Sequence, residues 1–288
     1  MSVSLRSVLP STSPMAALAA LPTCASPYCP RPATLWQRWW ARNEGVWLHQ
    51  RWYCSLSCFQ AGLYRRLEQA ALAVPRAASP GNRLPLGLVL LSQGEITAEQ
   101  LRQALDLQYK AKAGKLGEWL VRMGAVSEQQ VTGALAAQQG CPVFSIQEPQ
   151  WLAERFYWPD SLVRRYRAVP VFHNAARDTL YVGFLDSVDR SFLYTLEQML
   201  RCRTDPCIIV SKIYKQQMEL HTRSCEGSTV EIHERQSSVE MTRTIANYAE
   251  QVHAEHCAIA CCDGRLWIRL EPARATQLDL VFRVPLAS

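Results

Sequence analysis

Four cysteines near the N-terminus have the spacing of a metal site. Four residues separate Cys24 from Cys29, three separate Cys54 from Cys58, and 24 lie between the two pairs. Tetrahedral zinc takes four thiolate or imidazole ligands, with sulfur about 2.3 Å from the metal, and close pairs on two turns supply them at little cost in loop entropy. With thiols at all four positions no coordination site stays open, so the expected ion is structural. His49 is an alternative to one thiol, and four unrelated buried thiols are the competing explanation. A second group, His253, His256, Cys257, Cys261 and Cys262, is a weaker metal candidate, because strand alternation puts Cys261 and Cys262 on opposite faces. No nucleophile and base stand in recognisable context, and no GxxxxGK[ST] phosphate loop occurs, which points away from an enzyme.

Other residues that can hold a ligand recur at an offset of 30. Leu86-Gly87 returns as Leu116-Gly117, Gly94 as Gly124, Leu101 as Val131, Leu105 as Leu135, and Gln108 as Gln138. Each unit reads as a short helix stopped by a glycine able to adopt the left-handed conformation, then a longer helix. The longer helices open with capping boxes, Thr97 with Gln100 and Ser127 with Gln130. Leu101, Ala104, Leu105 and Gln108 fall on one face, as do Val131, Leu135 and Gln138. The second long helix ends at Gly140, and Pro142 prevents its resumption. The plain explanation is a four-helix core with turn glycines; it leaves unexplained the matched glutamines and a glycine early in each first helix, where it costs about 1 kcal/mol relative to Ala. A glycine there also admits a ligand close to the backbone.

LGLVLLSQGEITAEQLRQALDLQ followed by LGEWLVRMGAVSEQQVTGALAAQ resembles the GspE N-terminal or MshEN family, the N-terminal domain of type II secretion and type IV pilus assembly ATPases. The family pattern in each half is a basic residue, Leu-Gly, six residues, Gly, six, Leu, three, Leu, two, Gln, and the spacing holds in both halves. The resemblance implies a tandem helical motif that binds cyclic di-GMP. By it, Leu101, Leu105, Val131 and Leu135 make apolar contact with guanine, and the pairs Leu86-Gly87 and Leu116-Gly117 also belong to the ligand site. Amides near Gly87 and Gly117, the side chains of Gln108 and Gln138, and Lys115 provide polar contacts. Pro85 takes the basic position of the first half, which leaves Arg83, two residues away, as the substitute.

The elements that position these residues follow from pattern. The Trp-rich segment with Trp36, Trp39, Trp40, Trp47, Trp52 and Tyr53, followed by a helix over 57–73 carrying Cys58, predicts a treble-clef-like zinc module at 24–74. A Pro-containing linker at 75–83 precedes the repeat, which continues to residue 220 as a GspE N-terminal/MshEN-like domain. In it, strands are expected at 143–146, 168–172, 180–184 and 207–210, and helices at 159–166, 191–200 and 211–220. This is a small α/β layer beside the helices. Arg164, Arg165 and Arg167 read as a solvated helix end, with an anion site as the alternative. A polar linker, 221–238, leads to a last α/β unit, 239–288, with a helix over 239–255 and strands at 258–260, 266–270 and 278–284. It weakly resembles the start of a secretion ATPase domain. The expected fold class is α+β, multidomain.

Composition is consistent with that division. A chain of 288 residues, 48% hydrophobic, has length for two or three domains. Eleven cysteines cannot all pair, and residues 1–23 read as a flexible leader and not a signal peptide, so a reducing, cytoplasmic setting is expected. No run reaches the roughly 18 apolar residues of a membrane span. The net charge of +6 is mostly arginine. The function expected is a non-enzymatic regulatory or adaptor protein that binds cyclic di-GMP and zinc and contacts secretion, pilus or signalling machinery. The alternatives are a ligand-free interaction protein of the same fold and a nucleic-acid-binding zinc protein, nucleic acid ranking below the dinucleotide as a partner.

Overall fold

The computed structural model describes residues 22–30, 45–72, 83–145, 152, 156–224, 228–274 and 276–283. Most of the leader, Trp36, Trp39, Trp40, Ile146 and most of the 75–83 linker lie outside them. The described residues form nine helices and nine strands in two sheets. First come β1 (Val46–Leu48), β2 (Arg51–Tyr53) and α1 (Leu56–Leu72), then α2 (Leu86–Ser92), α3 (Ala98–Ala111), α4 (Leu116–Arg122) and α5 (Glu128–Gln139). Next are α6 (Asp160–Tyr166), β3 (Ala168–Asn174), β4 (Thr179–Phe184), α7 (Arg190–Leu200), β5 (Arg203–Ile208) and α8 (Ser211–Ser224). The chain closes with β6 (Thr229–Ile232), α9 (Ser238–Gln251), β7 (Ala254–Cys262), β8 (Arg265–Pro272) and β9 (Leu278–Arg283).

The chain divides into two compact units. One comprises Met1–Ala73, Arg235–Ala258 and Ile268–Leu278; the other comprises Val74–Glu234, Ile259–Trp267 and Asp279–Ser288. In the first, β1 and β2 form a short antiparallel pair, and α1 buries Phe59, Leu63 and Leu67 at helical spacing. Burial of each such side chain stabilises by about 1.5–3 kcal/mol. Helix α9 packs against α1 and buries Met241, Ile245 and Ala249 on one face. Strand β1 pairs in parallel with β7, Trp47 opposite His256 and Leu48 opposite Cys257, and the Trp47 ring stacks on His256. Residues 239–288 are therefore not one separate body: α9 and the start of β7 join the cysteine-rich segment, while β9 pairs in parallel with β6 in the other unit.

The second unit holds the repeat. Its core contains Leu90 and Leu120, Ile96 and Val126, and Ala104 and Ala134, three buried pairs at the repeat offset. Gly94 and Gly124 end the short helices at φ 72° and 69°, and Gly140 caps α5 at φ 65°, conformations that suit glycine. Both capping boxes form as expected from Thr97/Gln100 and Ser127/Gln130. In the sheet beside it, β3 and β4 run antiparallel with an irregularity between Pro170 and Phe172, and β4 and β5 run parallel.

Three local expectations are corrected. The strand at 143–146 is a single bridge, Val143 to Ile208, with Phe144 N–H donating to Ile208 O. Strand β5 starts at Arg203 rather than Cys207, because pairing with β4 holds its polar residues and Pro206 in a ladder that composition reads as loop. The 221–238 linker contains β6, whose partner lies some 50 residues on, beyond the reach of local periodicity.

His221, on α8, is buried, and its ring lies beside Tyr157 and Trp158 with Nε2 2.6 Å from Trp158 O. Burial holds its pKa below the ordinary imidazole value, against the opposing pull of the Trp158 carbonyl and Asp160. The folded protein therefore keeps His221 neutral, while the unfolded chain takes up a proton near pH 6.5. The stability this contributes is present above about pH 6.5 and is lost as pH falls through the lowered folded value. The urea midpoint should fall between about pH 7 and pH 5 in the wild type and fall less in His221→Gln; parallel curves would contradict the assignment.

Candidate functional site

The four N-terminal cysteines converge. Cys24 and Cys29 flank a turn at Pro27–Tyr28, and Ala25 N–H donates to Trp52 O at 2.8 Å, which ties this loop to β2. Cys54 follows β2 directly, and Cys58 sits in the first turn of α1, its N–H donating to Ser55 Oγ at 3.3 Å. All four Sγ atoms lie within 4.8 Å of one another, with Cys29 to Cys54 at 3.4 Å and Cys54 to Cys58 at 4.0 Å. A tetrahedron with 2.3 Å bonds has sulfurs about 3.8 Å apart, so this donor set fits zinc with small adjustments. No disulfide joins them. Burial first, then the neighbouring thiols Cys29 and Cys24, pushes the Cys54 thiol well above its usual pKa, and burial raises Cys24. A cation that replaces these protons relieves the crowding.

Among the described residues no other His, Cys, Asp or Glu group comes together in this way. His49 lies outside the cluster, with its N–H donating to Cys257 O at 2.8 Å. His253, His256, Cys257, Cys261 and Cys262 do not converge either: Cys257 is buried in β7, and Cys262 lies 2.7 Å from the Tyr166 hydroxyl.

In the repeat, the early glycines serve packing. A Cβ on Gly87 would lie 2.6 Å from Leu101 Cδ1 and 3.1 Å from Leu116 Cδ2; on Gly117 it would lie 2.8 Å from Val131 Cγ1 and 3.5 Å from Leu86 Cδ2. Each glycine thus meets the long helix of its own half and the opposite Leu-Gly leucine, a reciprocal pattern that makes the two halves equivalent. Val131 is β-branched and stiff at χ1, whereas the contacting atom of Leu101 ends a flexible chain. Gly117→Ala should therefore destabilise by about 1–3 kcal/mol and Gly87→Ala by less; equal urea midpoints would contradict this.

The glutamines obey the same symmetry. Gln108 Nε2 donates to Gly114 O at 3.0 Å and Gln138 Nε2 to Leu84 O at 2.6 Å. Both carbonyls stand two residues before a Leu-Gly, so each glutamine tethers the lead-in of the other half. Leu86, Leu101, Leu116, Val131 and Leu135 are half-buried, and Leu105 is 46% exposed, so part of the leucine face is open to solvent.

The halves differ at the basic position. Lys115 is the N-cap of α4; its N–H donates to Glu118 Oε2 at 3.4 Å, and its Nζ lies 2.6 Å from Asp186 Oδ2. Arg167 Nη1 approaches the same Asp186 oxygen at 2.8 Å. Pro85, the N-cap of α2, has no N–H to donate, and the residue matching Glu118 is the exposed Leu88. Arg83 bonds Gln139 Oε1. Asp186 escaped the sequence reading; its only signal was an acid just past a strand. Arg167, expected with Arg164 and Arg165 at a solvated helix end, shares that carboxylate with Lys115. Arg165 pairs with Asp263 and Arg164 Nη2 lies 3.9 Å from Asp160, so the arginines of 164–167 face carboxylates.

No known family profile matches the chain. Over 122 residues, 42% of the chain, it is 25% identical to the type IV pilus assembly ATPase PilB of Thermus thermophilus, and it spans 14% of that protein. It is also similar to the structure of MshE with cdg, at 26% identity over 48% of this chain and 99% of that one, with a TM-score of 0.38. The N-terminal domain of XpsE matches at 15% identity over 47% of this chain and 92% of its own, with a TM-score of 0.33. Somewhat under half of the chain is thus similar in sequence to a stretch of a type IV pilus assembly ATPase.

Proposed function

We propose that residues 84–220 form a receptor domain for cyclic di-GMP, joined to a structural zinc module, in a non-enzymatic regulatory or adaptor protein of secretion or pilus assembly machinery. The observation that carries this reading is the reciprocal arrangement of the two halves, in which Gly87 meets Leu116 and Gly117 meets Leu86. A two-fold ligand with two guanines and two phosphates matches a two-fold site, and the part-exposed leucine faces offer the bases an apolar surface. Leu101 and Leu105 in one half, and Val131 and Leu135 in the other, would contact guanine. Lys115, Arg83, Gln108, Gln138 and amides near both Leu-Gly pairs would take the polar groups. No P-loop occurs in these residues, so nucleotide hydrolysis is not proposed for them.

The zinc part of the proposal rests on the convergence of Cys24, Cys29, Cys54 and Cys58, and the order of cysteine loop, hairpin and helix supports a treble-clef-like arrangement. The setting proposed is cytoplasmic, where thiols stay reduced and available to a metal; among the described cysteines none is joined in a disulfide. Among the described residues no helix is long and apolar enough to cross a membrane.

A second reading, a ligand-free interaction protein, is favoured by one observation: Gln108, Gln138 and Lys115 already have partners within the protein. Thermal unfolding separates the two. Cyclic di-GMP at 100 times its Kd should stabilise the full chain by about 2.7 kcal/mol, visible as a raised Tm that 5′-GMP does not reproduce. An unchanged Tm favours the second reading.

A further inference from the structure

Charge is uneven along this chain. Residues 24–72 hold six arginines against two glutamates, a net of +4 within a whole-chain +6. Four thiolates on one divalent ion contribute −2, which still leaves this short segment at +2. Three of the arginines, Arg51, Arg65 and Arg66, are described and exposed. Between the two cysteines of the first pair stands Tyr28, 81% exposed, with the Arg65 guanidinium 5.6 Å from its ring centroid. That separation is within cation–π range. The arrangement serves no core: Tyr28 projects from a turn and Arg65 from the solvent side of α1, where Phe59, Leu63 and Leu67 form the buried face.

An exposed ring held by an arginine is a stacking platform with a cation beside it. Unpaired bases stack on such rings regardless of sequence, and arginines along the path neutralise phosphates. A duplex keeps its bases inside and would use only the charge. We infer that the Tyr28–Arg65 surface of the cysteine module binds single-stranded nucleic acid. This is independent of the dinucleotide reading, which concerns other residues.

The test is fluorescence anisotropy with the full, zinc-loaded chain and a labelled oligo(dA) strand of about 15 nucleotides, alone and as a duplex with oligo(dT). The strand should bind at about 50 mM salt, weaken steeply towards 200 mM, and bind more tightly than the duplex. Tyr28→Ala should lower affinity about ten-fold, and Arg65→Ala should flatten the dependence of log K on log salt by about one. Zinc content and Tm of both variants are compared with wild type; if Tyr28→Ala loses metal, Arg65→Ala, on the exposed face of α1, decides. Absence of strand binding up to about 100 μM at low salt, or equal affinity for strand and duplex, overturns the inference. So does unchanged binding by variants that keep their zinc.

Discussion

Cys58→Ser is expected to give protein with well under one zinc per chain and with the first compact unit unfolded. Structural zinc contributes about 10–16 kcal/mol of apparent folding free energy in small modules, as much as the whole stability of a typical domain. A segment the size of 24–72 is near the limit at which a core stands without a metal or other staple. The loss should spread, because α9 packs on α1 and β7 pairs with β1. Hydrogen exchange should therefore show residues 238–258 losing protection together with 45–72, while 86–139 keep theirs. A zinc-free variant that retains the wild-type exchange pattern would contradict the structural role of the metal. Chelation should reproduce the substitution, and restored zinc should reverse it in the wild type alone.

Leu105→Asp combined with Leu135→Asp should abolish cyclic di-GMP binding. Each change removes apolar surface from one half of the proposed site and adds a carboxylate beside a dianionic ligand, so a loss of at least about 100-fold, or 2.7 kcal/mol, is expected. Leu105 is 46% exposed, so Leu105→Asp alone should leave the urea midpoint near wild type and still weaken binding. Full affinity in the double variant would place the ligand elsewhere.

What the sequence made legible was local and periodic. The two Leu-Gly helices, the capping boxes at Thr97 and Ser127 and the glycine stops all follow from rules acting within a few residues. Convergence of the cysteines was legible because close pairs on two turns have few ways to share an ion. What stayed hidden depends on long-range pairing. The parallel contact of β1 with β7 joins residues some 200 apart, and β6 has no period of its own until β9 covers it. Asp186 was invisible for the same reason: only the fold brings it to Lys115. Gly87 and Gly117 were legible as unusual, but their immediate use differs from the one expected, since Leu101 and Val131 occupy the space a Cβ would need.

The most direct test of the central claim is isothermal titration of the full chain with cyclic di-GMP. Saturable binding at one ligand per chain, absent with 5′-GMP and lost in the Leu105/Leu135 double variant, is the predicted result. No saturable heat up to about 100 μM ligand, a threshold near −5.5 kcal/mol, would contradict it.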